Sequence, residues 1–170
     1  EKGAKLKETL GYAGFQLSIY MPTFRGTSDS VEETAYVQLV KDHLSRIDAG
    51  LGDRQILLVK LHPFVQSLLT LDSYRHIRPF PEGYDTYEVL NACDVLITDY
   101  SSVMYDFAST GRRILLFAYD LEDYQSRRGM YEDVSSYPFP LVRTPEALTE
   151  ELQKDTGHPD DGFLQKYCTF

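Results

Sequence analysis

Three short polar stretches, each directly after an apolar run, carry the residues of this chain best suited to chemistry. Asp99, Tyr100, Ser101 and Ser102 follow an apolar run at 95–97, after which Val103, Met104 and Phe107 recur at helical spacing. A buried strand that ends in a polar tight turn and becomes a helix is the usual ligand corner of an open α/β sheet. Ser101 or Ser102 would cap that helix, and its first unpaired N–H groups would favour an anion such as a phosphate. His62, before Pro63, closes a second run at 56–61; a histidine there can donate to phosphate oxygens or act as a general acid near neutral pH. Thr23, Phe24 and Arg25 follow a third run at 15–21, and the Arg25 fork suits a phosphate or a carboxylate.

Each piece also has a purely structural reading. His62 can be a turn residue bonded to backbone, Ser101 and Ser102 caps without a ligand, and Asp99 an acceptor for nearby N–H groups. Arg25 can be solvated, and Asp106, one turn into its helix, can be a surface charge. What strengthens the functional reading is that an open parallel sheet gathers all three strand ends along one edge, where ligands bind.

The elements that must position these residues alternate. Apolar runs at 15–21, 56–61, 77–80, 94–98 and 114–118 are separated by helical patterns, the α/β signature. Ala35, Leu39, Val40, Leu44 and Ile47 fall at helical intervals within 32–51, with Asp29 or Ser30 as the start. A short helix is expected from Pro63 to about Leu71, a two-turn helix at 87–93, an irregular helix at 120–128 and a last helix from Thr144 to about Lys154. Gly111 stops the helix after Ser102, and 131–140 reads as loop. The expected fold is therefore α/β: a Rossmann-like open parallel sheet with helices on both faces and right-handed crossovers. Residues 1–14 read as a linker or interlobe segment and 15–170 as the α/β domain.

Composition narrows the partners. At 170 residues, with 42% apolar and 25% charged residues, the chain has enough material for one real core. Its formal charge of −9 argues against a nucleic-acid partner, which calls for a basic face, though not against a phosphate held by a helix terminus and local bases. No apolar run approaches a membrane span. Cys93 and Cys168 are far apart and fit no metal spacing, which favours a reduced, cytoplasmic setting. The carboxylates of Asp120, Glu122 and Asp123 suit either a metal or an exposed helix face, and Arg127 and Arg128 in the SRRG at 126–129 either a ligand phosphate or solvent. There is no GxGxxG, P-loop, GxSxG or zinc motif. Without an initiating Met or a clear finish, the chain is expected to be a domain excised from a larger protein.

Four segments together resemble the CDP-glycerol glycerophosphotransferase family of teichoic-acid polymerases and primases: YMPTFR at 20–25, VKLHP at 59–63, ITDYSSVMYDFA at 97–108 and LLFAYDLEDYQSRRGMYED at 115–133. The resemblance runs from about Gln16 to Phe170. It implies the C-terminal, donor-binding lobe of a two-lobed GT-B architecture. His62 then corresponds to a donor-lobe histidine near the pyrophosphate, the catalytic group of this lobe. Ser101 and Ser102 correspond to pyrophosphate-binding serines, with Asp99 ordering their turn and Thr23 and Arg25 on the loop at the interlobe cleft. Residues 75–80 would lie near the base. The implied reaction transfers a polyol phosphate from CDP-glycerol or CDP-ribitol to a growing polymer, with release of CMP and no bound metal or cofactor. The acceptor, a lipid-linked polymer, would be met by an N-terminal lobe that this chain lacks, leaving the fragment inactive by itself. The full-length enzyme would then sit at the cytoplasmic face of the membrane. Pro138-Phe139-Pro140 departs from the Pro-Gly-Pro usual in the family. A UDP- or GDP-sugar transferase lobe, or a non-catalytic module of the same fold, stays open as an alternative.

Overall fold

The computed structural model describes residues 1–25, 30–128 and 133–169, and of residues 30–33 and 128 the backbone only. Six parallel strands form one sheet in the order β3-β2-β1-β4-β5-β6. They are β1 (Gln16–Tyr20), β2 (Gln55–Val59), β3 (Ile77–Pro79), β4 (Val95–Thr98), β5 (Arg113–Phe117) and β6 (Leu141–Val142). The chain leaves β1 toward β2 and β3 on one side, then returns to lay β4 on the other. That reversal makes the gap between the C-terminal ends of β1 and β4 the switch point of the sheet.

Strand residues alternate between two cores, so the sheet is buried on both faces. Leu17, Ile19, Leu58, Leu96, Ile114 and Leu116 pack with helices α4 (Thr86–Ala92) and α5 (Val103–Ala108). Leu57, Val59, Ile97, Leu115 and Phe117 pack against α2 (Ser30–Gly50), α3 (Pro63–Ser67) and α7 (Pro145–Leu152), and α6 (Leu121–Arg128) follows β5 where the irregular helix was expected. The expected α/β architecture is thus present, with the five expected strands in place.

Two elements were not legible in the sequence. β6 is only two residues long, anchored by Leu116 N–H donating to Pro140 and Ala118 N–H to Val142. Helix α8 (Asp161–Tyr167) is capped by the Asp160 carboxylate on the Phe163 N–H at 2.7 Å and buries Phe163. The expected loop at 131–140 contains a 3-10 turn at Val134–Ser136, and Phe139 within it is buried. Helix α2 begins at Ser30, one of the two expected starts; Asp29 and the Ser30 side chain lie outside the described residues.

Residues 1–14, expected as a linker segment, form α1 (Lys2–Thr9) and a turn. Gly3 lies so close to α4 that a Cβ there would come within 2.0 Å of the Asn91 carbonyl oxygen. Lys7 pairs with Asp94 at 2.7 Å, and Asp94 also accepts the Leu17 N–H, tying the helix to the sheet. Among the described residues no helix is long and apolar enough to cross a membrane.

Candidate functional site

The loops that leave β1, β4 and β5 are fastened together at the switch point by one cation between two carboxylates. Asp99, just past β4, has no exposed surface. Its Oδ1 accepts the Thr23 N–H at 2.9 Å, the Thr23 hydroxyl at 2.7 Å and the Tyr100 N–H at 2.5 Å. Its Oδ2 meets Arg25 Nη1 at 2.6 Å. On its other edge Arg25 grips Asp120, past β5, through Nε at 2.8 Å and Nη2 at 3.0 Å, a two-point bond that fixes the plane of the guanidinium. Nη1 also donates to the Thr23 carbonyl.

Aromatic rings enclose this ion pair. The guanidinium lies 5.1 Å from the Tyr100 ring centroid and 5.5 Å from those of Tyr119 and Tyr124, within cation–π range. Tyr100 stacks on Tyr124 at 3.9 Å and donates its hydroxyl to Asp120 at 2.9 Å. Burial pushes the Tyr100 and Tyr119 phenols well above their ordinary range, so both stay protonated. Burial opposes charge on Arg25 and Asp120 alike. For Arg25 the Asp120 hydrogen bond and the Asp99 charge outweigh burial and hold the proton on. For Asp120 the hydrogen bonds and charge of Arg25 outweigh burial and hold its carboxyl below the usual range. One cation between two carboxylates carries a net charge of −1, so Arg25 offers no spare charge to an anion in this arrangement.

The groups open to a ligand stand around this clamp. His62 is exposed and caps α3: its Nδ1 accepts the Phe64 N–H at 3.3 Å. The neutral tautomer consistent with that bond carries its proton on Nε2, which has no partner among the described residues. One face of the ring stacks on Phe24, with centroids 4.0 Å apart and planes 19° from parallel. Ser102 sits at the N-cap of α5 without a side-chain cap bond, leaving its hydroxyl open, and Ser101 Oγ makes only a long 3.4 Å contact with the Val103 N–H. The expected caps are therefore weak, and the helix start is closed by its own backbone: Met104 N–H donates to the Ser101 carbonyl at 3.3 Å and Tyr105 N–H to the Ser102 carbonyl at 3.1 Å, so the two hydroxyls are the groups left open there.

The structure thus brings Thr23, Arg25 and Asp99 into direct contact and places His62 on the neighbouring strand end, linked through Phe24. Ser101 and Ser102 continue the Asp99 turn. Asp120 was weighed as a metal ligand or an exposed helix charge; it is neither, since it holds Arg25. Glu122 pairs with Arg143 and Asp123 with Arg127, and among the described residues no three His, Cys, Asp or Glu side chains group as a metal site. In the SRRG stretch, Gly129 and the Arg128 side chain lie outside the described residues. Within 75–80, Arg78 donates to the carbonyls of Tyr74, Arg75 and Ile77, and Phe80 donates its N–H to the Val59 carbonyl at the end of β2.

Sequence reasoning missed Lys60. Its ammonium donates to Thr86 and lies 4.3 Å from the Phe80 ring centroid, at the same edge of the sheet. Its place two residues before His62 was the available signal. Asp106 accepts the exposed Tyr87 hydroxyl at 3.2 Å and so bridges α5 to α4 beside Ser102.

A parallel sheet in this order, with polar turns and open serine hydroxyls at its switch point, defines a Rossmann-type ligand-binding lobe. The comparisons with known proteins make that class specific. The chain belongs to the CDP-glycerol:poly(glycerophosphate) glycerophosphotransferase family, whose model matches residues 1–170. It is 32% identical to a teichoic acid poly(glycerol phosphate) polymerase of Bacillus spizizenii, over 99% of this chain and 44% of that protein. It is 31% identical to the teichoic acid ribitol-phosphate polymerase TarL of Staphylococcus aureus, over 92% of this chain and 28% of that protein. Among solved structures, the wall teichoic acid polymerase TagF superposes with a TM-score of 0.75 at 28% identity, over 98% of this chain and 39% of TagF. A TagF variant soaked with CDPG superposes with a TM-score of 0.69 at 26% identity, over 98% of this chain and 38% of that one. The chain therefore spans less than half the length of these relatives. Its fold is the GT-B lobe that the sequence motifs implied.

Proposed function

We propose that this chain is the donor-binding lobe of a polyol-phosphate transferase that uses CDP-glycerol or CDP-ribitol. The observation that carries the reading is the arrangement at the C-terminal ends of β2, β1 and β4, where the exposed His62 ring and the two open serine hydroxyls flank a buried clamp. Family membership and the names of the relatives support the choice of donor and of a teichoic-acid-like polymer as product. In the reaction proposed, an acceptor hydroxyl oxygen attacks the donor phosphorus that bears the polyol. A new P–O bond forms, the bridging P–O bond breaks, and CMP leaves with the bonding pair.

Nε2–H of His62 donates to the diphosphate and stabilises charge that builds on the bridging oxygen. The Ser101 and Ser102 hydroxyls at the start of α5 donate to the non-bridging oxygens. Thr23, Arg25 and Asp99 fix the loops that carry these groups. The base that takes the acceptor's proton, the acceptor site and any membrane contact are proposed to lie in the parts of the enzyme that correspond to the rest of its longer relatives.

Titration calorimetry with CDP, CDP-glycerol, UDP and GDP tests the proposal. Binding of the cytidine nucleotides is expected, with His62→Ala and Ser102→Ala each weakening it by about 1–3 kcal/mol. A preference for UDP or GDP would replace this reading with that of a nucleotide-sugar transferase lobe.

A further inference from the structure

We infer that Phe24 is a positioning residue for His62: it fixes the plane of the imidazole from which Nε2–H is presented to the donor phosphate. The inference rests on the proposed contact between His62 and that phosphate. Three observations lead to it. The two rings, from the loops after β1 and β2, stack at 4.0 Å and within 19° of parallel. Phe24 is itself held on both flanks, by Thr23 on Asp99 and by Arg25 on Asp99 and Asp120. The His62 ring edge is held by a single long bond from the Phe64 N–H at 3.3 Å, which by itself leaves the ring free to rock about that contact.

A flat face packed against the imidazole removes that freedom. Nδ1 stays on the helix end and Nε2 stays directed away from it. The clamp at Asp99 and Asp120 thereby reaches His62 without touching it: it pins the backbone on either side of Phe24, and Phe24 transmits the placement as a ring plane. This gives the aromatic residue of the PTFR segment a task separate from that of its arginine. It also predicts that planarity matters at position 24 more than apolar bulk.

The test uses Phe24→Leu, which keeps apolar volume but has no plane, and Phe24→Trp, which keeps a plane. Long-range nitrogen–proton NMR spectra report the His62 tautomer, and calorimetry reports CDP-glycerol affinity. Phe24→Leu is expected to mix the two tautomers and weaken CDP-glycerol about three- to tenfold, with an unchanged thermal midpoint; Phe24→Trp restores both readouts. A pure Nε2–H tautomer and native affinity in Phe24→Leu would overturn the inference. So would equal losses in Phe24→Leu and Phe24→Trp. If His62→Ala binds CDP-glycerol as tightly as the native chain, the proposed phosphate contact falls instead, and the tautomer spectra of Phe24→Leu still decide whether the stack sets the ring.

Discussion

Replacing Asp99 by asparagine should loosen the clamp at the switch point while leaving the sheet folded. In the native chain Oδ1 serves three donors, and an asparagine oxygen placed there keeps all three: the Thr23 N–H, the Thr23 hydroxyl and the Tyr100 N–H. The amide nitrogen must then take the place of Oδ2, where Arg25 Nη1 lies at 2.6 Å. Two donors face each other and the ion pair is lost. Removing one partner of a buried pair costs about 3–5 kcal/mol. Asp120 still holds Arg25 at two points, and the Arg25 side chain is 11% exposed, so relaxation lowers the expected cost to about 2–3 kcal/mol. Urea unfolding followed by far-UV dichroism measures this, with the m-value unchanged if the fold is kept. The same variant should bind CDP-glycerol more weakly than its stability loss alone implies, because the loop carrying Phe24 is released. A stability change below about 0.5 kcal/mol would refute the claim that a buried carboxylate organises these loops.

Other perturbations probe separate parts of the structure. Gly157 has φ +87°, and a Cβ there would lie 2.3 Å from the Ile114 carbonyl oxygen, so Gly157→Ala should cost about 2 kcal/mol or more in a thermal melt. Gly3→Ala should undock α1 from α4, seen as lost hydrogen-exchange protection in residues 5–10 with the strands still protected. Asp120 titrates below its ordinary 3.8 in the folded chain, so its contribution is present above that value and is lost as pH falls through the folded value. Arg25→Gln should therefore flatten the loss of stability as pH falls below the ordinary 3.8 in urea melts. His158 behaves oppositely: its Asp155 hydrogen bond and the Gly111 carbonyl raise it above 6.5, so a small contribution present at lower pH fades as pH rises through the folded value, and His158→Gln should remove that dependence.

Much of this architecture was legible because the strands are buried on both faces and read as unbroken apolar runs, from 56–61 to 114–118. Their polar ends were legible for the same reason: a buried strand has to stop where Thr23, His62 and Asp99 begin. β6 was hidden because two residues carry no period, and α8 because its signal is the Asp160 cap and one buried ring, Phe163. The partners of Arg25 were not legible either. Asp99 lies 74 positions away and Asp120 lies 95 away, so nothing local distinguishes an arginine that binds a ligand from one that a buried and a part-buried carboxylate already neutralise. The aromatic spacing in Tyr119, Tyr124 and Tyr100 became meaningful only once the sheet had brought three loops around that cation.

The central claim is that the crevice between the ends of β1 and β4 receives the donor's diphosphate. Amide shift mapping of the labelled chain during titration with CDP-glycerol tests it most directly. The largest changes are expected at 22–25, 62–64 and 99–103, and in His62→Ala they should move together to higher CDP-glycerol concentration. Saturable shifts confined to another face of the sheet, such as the groove between the Tyr137 turn and α8, would contradict it.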